Sequence, residues 1–71
     1  MFPSESYVNA IKAQYPAGTR IVIYAMEDPR PIPYGTQGTV RHVDDAGTIH
    51  VDWDNGRRLG VVPGEDSFEI V

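Results

Sequence analysis

The chain has no cysteine, one tryptophan and only six basic side chains against ten acidic ones in 71 residues. Each shortage excludes something. Without cysteine, neither a disulfide framework nor a thiolate metal site can support so small a fold, and the apolar core has to suffice. No apolar run approaches the roughly 18 residues of a membrane helix. The start, Met1-Phe2-Pro3-Ser4-Glu5, lacks the basic and apolar regions of a secretory leader. The expected setting is soluble and cytoplasmic, with no membrane partner. The length fits one domain over residues 1–71, and such a chain buries only about 60% of the surface its unfolded state exposes. That leaves little material for a deep enclosed pocket, so complex enzymology is not expected.

Positive charge is scarce in one part of the chain above all. From residue 44 onward, Asp44, Asp45, Asp52, Asp54, Glu65, Asp66 and Glu69 face only Arg57 and Arg58, a balance of -5 that outweighs the +1 of the preceding residues and accounts for the formal net charge of -4. A nucleic-acid binder normally gathers Lys and Arg on one face to neutralise phosphates, so the balance disfavours direct binding of nucleic acid. Solvated acidic turns account for the same pattern more simply.

What is present is 41% hydrophobic residues, ordered in short runs. Ser4 suits a helix N-cap and Glu5 the positive end of the helix dipole. Tyr7, Val8, Ile11 and Tyr15 recur at helical spacing until Pro16 and Gly18, which predicts a helix over 4–15 with a Tyr7/Ile11 stripe laid on a sheet. Residues 19–24 alternate Ile21 and Ile23 with Val22 and Tyr24, which reads as a strand with one face on the interior and the other against the helix. Pro29, Pro31 and Pro33 then make residues 25–34 a long extended loop. Further strands are expected at 38–43, 48–53, 57–62 and 68–71, separated by Asp/Asn/Gly/Pro turns.

The hydrophobic pattern selects one register for the Asn55-Gly56 hairpin. A two-residue loop would put the apolar sets of the two strands on opposite faces. A three-residue loop of Asp54, Asn55 and Gly56, with Gly56 left-handed, pairs Trp53 with Arg57, Asp52 with Arg58, Val51 with Leu59 and Ile49 with Val61. The apolar residues then share a face, and Trp53 lies near Arg57. In the preceding strand, Val40 and Val43 can both face inward only across a bulge. The expected architecture is mainly β: a five-stranded SH3-like barrel over 18–71 preceded by one short N-terminal helix.

Gly35-Thr36-Gln37-Gly38-Thr39-Val40 resembles the Gly-x-x-Gly-x-Val core of KOW-type small barrels. A longer set is more specific: Tyr15-Pro16-Ala17-Gly18-Thr19-Arg20-Ile21, Asp28-Pro29, residues 33–40, Val43-Asp44-Asp45-Ala46-Gly47-Thr48-Ile49-His50-Val51, Trp53-Asp54-Asn55-Gly56-Arg57, and Pro63-Gly64 through Phe68. Over roughly residues 15–70 it resembles the small prokaryotic family known as domain of unknown function 4314. That resemblance implies a bacterial mobile-element or phage-like context and transfers no catalytic residue. Val51-Asp52-Trp53-Asp54-Asn55-Gly56 also resembles the Trp-Asp-Asn-Gly turn of Mib/Herc2 barrels, which are substrate-binding modules.

His42 and His50 face each other in one register of their hairpin, yet a third metal ligand at recognisable spacing is missing. The pairs Asp44/Asp45 and Asp52/Asp54 suit turns better than acid/base catalysis. Ser4, Ser6 and Ser67 have no elbow motif, and Gly35 to Gly38 leads into a strand instead of a phosphate-binding helix. Neither an enzyme nor a cofactor is expected. The residues best suited to function are those of a partner-binding surface: Tyr24, Met26 and Tyr34 on or beside the proline-rich loop, with Trp53, Arg57 and Arg58 at the hairpin. The leading expectation is a non-catalytic module that binds another protein. The alternatives are a nucleic-acid-associated KOW-like module, an acidic phage-type inhibitor of a nucleic-acid-binding protein, or an assembly subunit whose surface serves oligomerisation.

Overall fold

The computed structural model describes residues 3–71 as one helix followed by four strands: α1 (Glu5–Gln14), β1 (Arg20–Ala25), β2 (Gln37–Val43), β3 (Ile49–Trp53) and β4 (Ser67–Ile70). The reading of Met1 and Phe2 as part of a leaderless start lies outside the described residues. The strands form one antiparallel sheet in the order β3-β2-β1-β4. The architecture is mainly β with a short N-terminal helix, as expected. Among the described residues no helix is long and apolar enough to cross a membrane.

Ser4 does cap α1, accepting from the Tyr7 N–H at 3.2 Å, and Glu5 in the first turn and Lys12 in the last complement the dipole. The buried stripe differs from the expected one. Val8 and Ile11 are buried and Tyr15 packs against the core, whereas Tyr7 is 43% exposed. Val8, Ile11 and Tyr15 lie within one arc of the helix, and Tyr7, at the edge of that arc, meets the turn between β2 and β3 instead. A Cβ on Gly47 would come 3.3 Å from the Tyr7 ring.

Ile21 and Ile23 of β1, Val40 and Val43 of β2, and Ile49, Val51 and Trp53 of β3 all point to one face and form the core with Ile11, Ile32 and Val61. The helix covers that same face: Ile11 joins the core, and the Tyr15 ring lies 5.7 Å from the Phe68 ring of β4. The expectation that α1 would cover the Val22/Tyr24 face is thus corrected. Three turns of helix bury most area where the sheet already presents isoleucine and valine, and the opposite face stays open to solvent.

Two registers follow the hydrophobic argument. Isolated bridges join Ile49 to Val61 and Asp52 to Arg58, and Gly56 closes the hairpin at φ +88°. In β2 the pairing shifts between Val40 and His42, and this bulge lets Val40 and Val43 both face the core.

The fifth strand and the barrel are corrected. Residues 57–62 follow β3 through single bridges and bonds such as Val61 N–H to the Ile49 carbonyl at 2.8 Å, without a continuous ladder. The run then turns away at Pro63, where the Glu65 and Asp66 N–H groups donate to the Val62 carbonyl at 3.1 and 3.0 Å. β4 bonds to β1 alone among the strands, so the sheet has four strands and is not closed.

Candidate functional site

β1 delivers Tyr24 to the open face of the sheet because it alternates with Ile21 and Ile23, which the core holds inward. Its hydroxyl donates to Glu69 Oε2 at 3.0 Å across the β1/β4 pair. That hydrogen bond, desolvation, and the charges of Glu69 and Tyr34 together hold the phenol above its ordinary range. On its other side, the Tyr34 ring lies 5.7 Å from the Tyr24 ring at an angle of 47°. Tyr34 is 78% exposed, the most exposed of the large hydrophobic side chains.

The loop that carries Tyr34 is long but tied at several points. Ile32 inserts into the core and is only 3% exposed. Arg57 reaches across from the hairpin and donates from Nη2 to the Arg30 carbonyl at 2.7 Å and from Nη1 to the Pro31 carbonyl at 3.3 Å. Asp28 Oδ1 accepts from the Arg30 N–H at 2.8 Å, and Asp66 Oδ1 accepts from the Glu27 N–H at 2.7 Å. At the exit, the Gly35 N–H donates to the Ile23 carbonyl at 2.7 Å, and the Thr36 hydroxyl donates to the Pro33 carbonyl at 2.7 Å. With φ preset at Pro29, Pro31 and Pro33, little conformational freedom remains to be lost on binding.

The sequence-derived residues separate into two groups. Tyr24 and Tyr34 come together, with Arg57 beneath the same loop. Met26 is partly buried and packs against the core. Trp53 is 3% exposed: it points inward and donates from Nε1 to the Leu59 carbonyl at 2.9 Å, so it belongs to the core and is no surface anchor beside Arg57. Gly38 makes room for it, since a Cβ there would fall 2.7 Å from Trp53 Cε3 and 2.6 Å from Val51 Cγ1. The Gly-x-x-Gly-x-Val run therefore has a packing explanation. Arg58 stands on the open face with its Nε 3.1 Å from Asp52 Oδ1, away from the tyrosine pair.

Glu69 and Asp66 entered the sequence reading only as members of the acidic set, without their structural roles. Each acts across long chain separations, on Tyr24 and on Glu27, and a carboxylate near a turn carries no local sign of such a partner. Asp66 also accepts from the Val62 N–H through Oδ2 at 2.7 Å, fixing the approach to β4.

The remaining charged groups largely neutralise one another on the open face. Arg20 holds Asp54 through two bonds of 2.6 and 2.8 Å, and these hydrogen bonds lower the Asp54 pKa and raise that of Arg20. Arg41 and Arg58 flank Asp52 Oδ1 at 3.5 and 3.1 Å; that buried oxygen takes no aligned hydrogen bond and is held by charge. His42 and His50 sit directly opposite each other with rings stacked at 4.4 Å, and His50 Nε2 lies 2.8 Å from Asp44 Oδ2. Asp44 Oδ1 accepts from the Ala46 and Thr48 N–H groups at 2.9 and 3.0 Å. Among the described residues no three His, Cys, Asp or Glu side chains cluster as metal ligands. A shallow groove of about 370 Å³ between α1 and the Asp45 turn is crossed by the 3.5 Å Lys12–Asp45 pair.

A mainly β module with an open sheet face and an aromatic pair whose outer ring, Tyr34, stands exposed on a tethered loop is the class that this fold and surface define. The family model described as Domain of unknown function (DUF4314) matches residues 4–71, and the chain belongs to that family. The match includes α1, which the resemblance over roughly residues 15–70 omitted, so the helix is part of the family's unit. No curated protein and no solved structure matches the chain.

Proposed function

We propose that the protein is a non-catalytic module that binds another protein through the Tyr24/Tyr34 platform. The observation that carries this reading is the 78% exposure of Tyr34 on a loop tethered through Arg57, Ile32 and Thr36. An aromatic ring presented in one orientation supplies contact area at low entropic cost, and a Tyr hydroxyl adds a polar handle at the rim. The hairpin contributes through Arg57, which supports the loop. The phage-like or mobile-element setting belongs to the same proposal and rests on the family resemblance.

The nucleic-acid reading is weaker on this surface. Arg20, Arg41 and Arg58 each stand within 4.0 Å of a carboxylate and Arg57 is bonded to backbone carbonyls, so a phosphate would have to displace internal partners. The acidic-inhibitor reading would use Asp44, Asp45, Glu65 and Asp66, of which Asp44 and Asp66 already accept internal hydrogen bonds and Asp45 lies 3.5 Å from Lys12.

Tagged capture from a bacterial lysate, with and without nuclease, tests the proposal. A retained protein that survives nuclease and is lost with Tyr34→Ala supports it. Retention that vanishes with nuclease sinks it in favour of nucleic acid.

A further inference from the structure

Among the described residues no strand lies on the outer edge of β4, because the sheet order ends there. The parity of the β1/β4 ladder tells which backbone groups are left over. The Val71 N–H donates to the Arg20 carbonyl at 3.0 Å, and Val22 faces Glu69 two residues further along. Hydrogen-bonded pairs alternate in an antiparallel ladder, so Glu69 and Val71 spend their backbone groups on β1. Phe68 and Ile70, opposite Ile23 and Ile21, turn their N–H and C=O groups outward. Their side chains lie on the core face at this rim, and Ile70 is 54% exposed there.

The devices that usually blunt an edge are sparse. β4 contains neither proline nor lysine, and its one charged side chain, Glu69, points to the open face. Among the described residues Glu69 has no cation of its own: it accepts from the Tyr24 hydroxyl, while Arg20, two residues from Val22, is committed to Asp54.

We propose that this edge accepts an extended strand from a protein partner, with Lys or Arg opposite Glu69 and apolar residues on either side of it facing Phe68 and Ile70. The inference rests on the protein-binding reading and adds to it a second surface with a defined partner chemistry. The added strand would lie about 4.8 Å from β4 and bond to the outward groups of Phe68 and Ile70. Its apolar side chains would cover Ile70 on one face while its cation meets Glu69 on the other. A second copy of this chain fits worse. Antiparallel self-pairing that uses all the outward groups centres on Glu69 and sets two carboxylates directly opposite, which is destabilising.

Two end-blocked eight-residue peptides test the proposal, one alternating Val with Lys and one alternating Val with Glu. With the Lys peptide, amide exchange at Phe68 and Ile70 slows, while Glu69 and Val71, already in the ladder, change little. The Lys peptide binds tighter than the Glu peptide by about fivefold or more, as expected when a favourable cross-strand charge pair replaces a like-charge one. Glu69→Lys reverses the preference. Tyr34→Ala leaves both peptide affinities unchanged, which separates this edge from the tyrosine platform: loss of the captured partner in that variant concerns the platform alone. Unchanged exchange at Phe68 and Ile70 in the wild-type protein at saturating Lys peptide overturns the proposal. Slowing confined to other amides does so too, as does a preference unaltered by Glu69→Lys in a variant that retains the wild-type amide spectrum elsewhere.

Discussion

Arg57 and Arg30 are joined by a 2.7 Å hydrogen bond from a guanidinium nitrogen to a backbone carbonyl. Twenty-seven residues apart in the chain, they tie the β3 hairpin to the proline-rich loop. The loop that presents Tyr34 is therefore held from the hairpin as well as by its own prolines. An Arg at this position has two donors in one plane and can reach the Pro31 carbonyl at the same time.

Arg57→Ala is expected to lower stability by about 1 kcal/mol, since hydrogen bonds from a charged donor to exposed carbonyls have modest net value. In a chain this size that is about 4–8 °C in Tm. Amide exchange should quicken at Arg30 to Tyr34 and stay constant in β2 and β3. The sequence alone suggested a partner-contact residue at the hairpin, and a melting curve identical to wild type would show that Arg57 has no structural role beyond that.

Gly38→Ala is expected to destabilise by about 1–3 kcal/mol, the usual range for overpacking a filled core. The added methyl would have to share space with Val51 and Trp53, both less than 3 Å away. Thermal melting and the Trp53 fluorescence maximum report the two consequences, lost stability and a displaced indole. An unshifted indole in a fully stable variant would show that Gly38 is not the seat of Trp53.

These two positions show what the residues disclosed and what they withheld. The hairpin register around Gly56 and the bulge between Val40 and His42 were legible because a period-2 pattern fails visibly when shifted by one residue. Trp53 is part of that same inward set, by alternation with Val51 and Ile49. Its burial was obscured by the neighbouring Arg57, whose side chain instead crosses to a loop far away in sequence. Tyr24 and Tyr34 were recognisable as surface aromatics flanking a rigid loop, but their contact depends on how the loop returns to β1. The barrel was over-read because turn spacing predicts where strands fall and not whether residues 57–62 form a continuous ladder. The roles of Glu69 and Asp66 were invisible for the same reason: their partners are fixed only by the tertiary fold.

Asp44→Asn tests the turn between β2 and β3 through pH. Asp44 is held below the ordinary carboxylate range, first by its hydrogen bond to His50 and then by the Thr48 and Ala46 N–H groups, against an opposing effect of desolvation. A carboxylate with a depressed folded pKa contributes stability that is complete above the unfolded value and is lost as pH falls through the folded one. The Asn variant keeps an acceptor for the turn and lacks the charge facing His50. Its Tm should lie below wild type at neutral pH, and the gap should shrink as the pH drops below about 4. A gap constant down to pH 2 would assign the effect to packing.

Glu69→Gln should bring the Tyr24 phenol back toward its ordinary titration range, because the hydrogen bond to Glu69 is the largest cause of its elevation. Ultraviolet titration of the tyrosines, with Tyr24→Phe to assign the transition, reads this directly. An unmoved transition would mean that the Tyr24–Glu69 contact is not maintained in solution, and would weaken the link between the platform and β4.

The most direct test of the platform is the affinity of Tyr34→Ala for the captured partner, measured beside its melting temperature. The predicted result is a loss of at least about tenfold in affinity, the scale of an exposed aromatic anchor, with Tm unchanged. Wild-type affinity in the variant would contradict the account, and the exposed ring would then be a surface residue with no part in recognition.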